Sequence, residues 1–198
     1  MTRQPATPRP SLNARVGALA LALGAPLNLV LHLEGGRLAP LSYVAWLAVS
    51  FGLWCFAGEM GAARPLNRAG LVLLAAAFCA DTLAMLATDP GEAARARLLY
   101  AFAVLGALVF WSVALMHRTR TARAIGALGA TVGAGALVLL VAAHLLLGTA
   151  TILGASQLFA ALDQPAHAAS AALAMIDSVL CVWCLTTAWL LWRGRLAA

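Results

Sequence analysis

Long apolar runs alternate with short polar joints along this chain, and the runs recur six times. They cover 12–33, 38–58, 69–88, 97–116, 124–147 and 168–192. Each reaches the about 20 residues that a helix needs to cross the hydrocarbon of a bilayer. The pattern predicts an all-α integral membrane protein, with residues 12–198 forming one bundle of six transmembrane helices. Residues 1–11 hold Pro5, Pro8 and Pro10 and are expected to be a flexible tail. The first run lacks a convincing small-x-small cleavage site after it, so it is expected to be a retained helix rather than a signal peptide. Most joints are tight: Glu34-Gly35-Gly36 and Asp89-Pro90-Gly91 are turn sequences. The exception is 148–167, a longer loop in which Thr151-Ile152-Leu153 and Leu158-Phe159 suit a short interfacial helix or a cap over a cavity.

The polar joints are not equivalent. Arg3, Arg9 and Arg15 precede the first run. Arg64 and Arg68 separate the second from the third, Arg118, Arg120 and Arg123 the fourth from the fifth, and Arg193 and Arg195 follow the sixth. The intervening joints hold only Arg37, Arg95 and Arg97. Arginine in alternate joints is the positive-inside signal of a polytopic protein, and it predicts that both termini are cytoplasmic. Trp54, Trp111, Trp189 and Trp192 fall near the same ends, where an aromatic belt is expected. The expected location is the inner (plasma) membrane of a bacterium.

Composition agrees. Charged residues are 10% of the chain, against about 25% in a soluble domain. The net charge of +6 is confined to one set of joints, where it orients helices and meets lipid headgroups. No basic surface of a size to hold nucleic acid remains. All basic residues besides histidine are arginine, which excludes a lysine Schiff base and a P-loop lysine. Cys55, Cys79, Cys181 and Cys184 lie inside apolar runs and are expected to be small core residues.

Function turns on the few ionisable groups at depth. A charge near the bilayer centre needs a partner, a proton or a path to water. Asp81 lies about 18–20 Å along its helix from Arg68, and Asp177 about 15 Å from His167. Both therefore sit to the outer side of the middle. They are the main candidates for ligand or proton-carrying groups, with His144 and Asn28. As purely structural acids they would bond to neighbouring helices through Thr82, Ser178 or Asn28. Towards the outer ends lie His32, Glu34, Asp163 and His167, a polar cluster. His32, His144 and His167 are the candidate ligands should a metal bind, although no HExxH or paired-histidine motif accompanies them. No cofactor is named by any motif. Cys181 and Cys184 form a CxxC deep in the sixth run, where packing explains them best. Asp177, Cys181 and Cys184 share one helical stripe. Glu59, near Arg64 and Arg68, is expected to pair at the interface, and Asn67 is expected to be a joint residue.

Three function classes follow. The first is membrane transport or small-molecule binding through an outward-facing polar cavity. The second is an integral membrane enzyme acting on a lipid or isoprenoid near the outer leaflet. The third is a structural or assembly subunit of a larger membrane complex. The expected partners are the lipid bilayer and either another membrane subunit or a further copy of this chain. In size, span number and cytoplasmic termini, the layout resembles the substrate-binding subunits of energy-coupling-factor importers. That resemblance would give Ala14, Ala18 and Ala22 a docking role. Rhomboid proteases also have a six-span core, but Gly154-Ala155-Ser156-Gln157 departs from their Gly-x-Ser-Gly.

Overall fold

The computed structural model describes residues 10–33, 39–61, 64–160 and 165–196. They form helices α1 (Leu12–Leu33), α2 (Ala39–Glu59), α3 (Arg64–Leu86), α4 (Pro90–Met116), α5 (Arg120–Ala160) and α6 (Pro165–Trp192). All six are long and apolar enough to cross a membrane. Among the described residues there is no strand.

The six apolar runs correspond to the six helices, but several boundaries differ. Helix α4 begins at Pro90 rather than 97. The Asp89 side chain accepts from the Glu92 N–H at 3.0 Å, and Pro90 occupies the first turn, where its missing donor costs nothing. Capping sets where a helix starts, whereas hydropathy sets only the part that suits lipid. Helix α5 does not stop at 147. It continues to Ala160, through most of the segment expected to be an outer loop. Residues 148–160 contain no proline, and Pro165 opens α6. The 41 residues of α5 extend about 60 Å, twice the hydrocarbon thickness of about 30 Å.

The helices form a closed ring. α1 packs on α2 and α6, α2 more lightly on α3, α3 on α4, α4 on α5, and α5 on α6, while α4 and α2 also reach α6 across the ring. Among the described residues of their apolar spans, α4 is the most buried helix and α5 the least. Small residues set several of the close pairings. Along α1, Gly17 meets Cys55 and Gly24 meets Ala45 and Ala48; a Cβ on Gly24 would lie 2.8 Å from that of Ala48. Along α5, Gly126 and Gly129 meet Ser112, and Gly133 meets Leu108 and Val109. The glycines of the fifth helix thus let it approach α4 closely. Ala14 and Ala18 are buried in the bundle core, so the stripe that the importer resemblance would use for docking is covered within the chain.

The outside is apolar as well: Leu23, Leu47, Trp54, Val72, Leu83 and Leu139 are all exposed. An apolar surface of this extent is foreign to a soluble monomer. Trp54, Trp189 and Trp192 are exposed near the arginine-rich end, as a belt requires. Trp111 departs from that expectation. It is fully buried and stacks on Trp183 at 5.7 Å.

The arginine-rich end is tied by polar contacts. Ser11 donates to the Glu59 carboxylate, and Arg118 donates to the Glu59 carbonyl at 3.1 Å. After α6 the chain turns through Gly194 at φ +62°, with the Arg195 N–H donating to Leu190 O at 3.0 Å. This is the glycine-closed helix end that a left-handed residue permits. Thr119 then donates to the Arg195 carbonyl, Arg195 donates to Thr121, and Leu196 is buried.

Candidate functional site

Two carboxylates on different helices meet around one tyrosine. Helices α3 and α4 run antiparallel, with Gly70 against Trp111 and Gly106 against Leu73. That register sets Asp81 of α3 opposite Tyr100 of α4. From α6, Asp177 accepts a hydrogen bond from the Tyr100 hydroxyl. Tyr100 lies within electrostatic reach of both Asp177 and Asp81. From α2, the Trp46 indole donates to Asp81 Oδ2 at 3.2 Å. Its ring meets that of Tyr100 edge-on at 6.1 Å, a favourable arrangement for aromatic quadrupoles. Phe78 and Tyr43 extend the aromatic wall. Trp46, Tyr100 and Asp177 are buried and Asp81 is half-buried.

One turn towards the arginine-poor end are two more polar groups. Gly24 packs at the level of Ala45 and Ala48, so four residues further along α1 Asn28 stands level with Ser42 of α2. Asn28 Oδ1 and Ser42 Oγ are both buried without a hydrogen-bonding partner. Tyr100 is ten residues into α4, about 15 Å from its start and about 24 Å from its end at Met116. The constellation therefore lies in the arginine-poor half, enclosed by α1, α2, α3, α4 and α6.

The structure brings together Asp81, Asp177 and, one turn away, Asn28. It adds Trp46 and Tyr100 as the partners of the two acids. Thr82 instead donates to the Phe78 carbonyl within its own helix. An aromatic residue inside an apolar run gives no sign of its own that its polar atom is used. The chain's two tyrosines were still a usable signal, since a buried phenol needs a partner. Glu34 and Asp163, and the side chains of His32, His144 and His167, lie outside the described residues. Among the described residues no group of three or more His, Cys, Asp or Glu is placed to hold a metal; the histidines on which that expectation rests are not among them. Cys181 and Cys184 are buried free thiols below Asp177, Cys55 is buried, and Cys79 is exposed on the apolar surface.

What the arrangement offers is a pair of acids able to hold or pass a proton, or to receive a polar solute, in an apolar bundle. No family model, no curated protein and no solved structure matches this chain.

Proposed function

We propose that this protein lies in a bacterial plasma membrane with both termini in the cytoplasm. It binds or transports a small molecule through a polar site in the outer half of its bundle. Asp81 and Asp177 are its ligand or proton-carrying groups, and Asn28 lies towards the mouth. The supporting observation is that the α6 carboxylate accepts from Tyr100, while the α3 carboxylate accepts from Trp46, whose ring packs edge-on against Tyr100. Ionisable groups at such depth are costly in lipid and mark solute or proton paths. The orientation rests on the arginines, ten of thirteen of which fall in alternate joints. A helical bundle suits a plasma membrane, whereas outer membranes hold β-barrels.

Cysteine accessibility tests this reading. With Cys55, Cys79, Cys181 and Cys184 replaced by alanine, Asn28→Cys and Ser42→Cys variants are treated with a membrane-impermeant maleimide in spheroplasts. Both should be labelled from outside, while a Leu53→Cys variant, about 16 Å further along α2 from Ser42 and buried, should stay unlabelled. Resistance at Asn28→Cys and Ser42→Cys equal to that at Leu53→Cys would mean that no polar cavity opens outward. Labelling only in inverted vesicles would overturn the orientation.

A further inference from the structure

Near the arginine-rich end lies a second set of buried polar atoms, distinct from the carboxylate level. Asn67, in the first turns of α3, is 3% exposed, and neither its Nδ2 nor its Oδ1 has a hydrogen-bonding partner. Trp111 of α4 is 0% exposed, and its Nε1 is also without a partner. Sequence patterning reads Asn67 as a joint residue and Trp111 as a belt residue; both lie in the bundle instead. The two are neighbours. Trp111 Nε1 rests against α3 at Gly70, and Asn67 stands three residues before Gly70 on the same helical face. Gly70 has no side chain to intervene. A Cβ on Gly70 would overlap Trp111 Nε1, and side chains three apart on a helix are neighbours, so one molecule bonded to the indole N–H is within reach of Asn67. The Trp111 ring itself is fixed, stacked on Trp183 and edge-on to Phe56 at 6.5 Å. The Trp183 indole already has a partner, donating to Ser112 Oγ at 3.1 Å.

We infer that Asn67 and Trp111 form a binding site for one small uncharged hydrogen-bonding molecule, water being the occupant at rest. The chemistry is complementary. The occupant accepts from the Trp111 N–H and donates to Asn67 Oδ1, and Asn67 Nδ2 donates to it or to a second such molecule. Buried polar atoms in native proteins are almost always bonded to protein or to ordered water, and a polar site of two or more groups holds water where an apolar one stays dry. Trp111 is about 16 Å along α4 from Tyr100. Val104, Leu105 and Leu108 lie between, all buried, so this is a separate site. It stands independently of the transport reading.

The test uses full-length protein labelled with ¹⁵N-tryptophan in detergent micelles, with Trp111→Phe to assign the indole resonance. The Trp111 indole proton should exchange magnetisation directly with water, and Asn67→Leu should abolish that transfer. Absence of any water cross-peak at Trp111 in the unsubstituted protein overturns the inference, whatever the variants do. Thermal unfolding gives a second readout. Asn67→Leu and Trp111→Phe should each lower Tm, and the double variant should lose clearly less than the two losses added. A higher Tm for Asn67→Leu with strictly additive effects would mean that the two groups share nothing.

Discussion

Each of the two acids accepts from an aromatic donor, and that makes single atoms testable. Tyr100→Phe removes the hydroxyl that donates to Asp177 and so takes one hydrogen bond from the buried acid. The expected loss is about 1–3 kcal/mol of stability, read as detergent unfolding. Tyr43 is half-buried and meets Phe78 only by its ring, so Tyr43→Phe serves as the control and should change little. Equal effects at the two tyrosines would show that the Tyr100 bond contributes nothing. Asp81 and Asp177 were legible in the sequence because a carboxylate inside an apolar run conflicts with its surroundings. Trp46 and Tyr100 were not, because an aromatic ring in the same place fits the core whether or not its polar atom is used. Asn67 and Trp111 were misplaced for a related reason. Nearness to arginine marks a membrane end, but it does not say which way a side chain at that end faces.

At the scale of the helix, glycine separates contact from open surface. A Cβ on Gly126 would lie 2.9 Å from that of Leu115 and closer still to the Ser112 carbonyl; at Gly135 nothing lies within 4 Å. Gly126→Ala should therefore destabilise by about 1–3 kcal/mol through overpacking. Gly135→Ala should stabilise by about 0.5–1 kcal/mol, since alanine is the better helix former. Unfolding curves of the two variants moving in the same direction would contradict the α4–α5 packing. The Gly126–Gly129–Gly133 spacing was visible in the sequence, but its partner was not: small residues permit close approach without naming the helix approached. Helix number was legible for a simple reason, as an apolar window has to match lipid thickness. Helix length was not. The window is silent about α4 before Arg97 and about α5 beyond 147, where capping and the next proline decide.

For the molecule as a whole, the arginine bias predicts sidedness. A reporter fused to the C terminus that is active only in the cytoplasm should be active, and one that needs export should be silent. The reverse pattern would invert every assignment of inner and outer. Sequence supplied that bias but not the closure of the ring, since nothing in α1 states that its second neighbour is α6. Yet that closure governs how the protein is made. The ribosome delivers α1 first and α6 last, so one wall beside α1 is missing until the final helix arrives. Tyr100 and Asp177 are 77 residues apart, which at ordinary elongation rates leaves the phenol about 4–15 s without its acceptor. A chain truncated before α6 would hold Asn28 and Asp81 in a half-built bundle open to lipid on one side. Completion of the last helix, rather than arrival of the first five, is therefore the step expected to close the bundle around the two carboxylates.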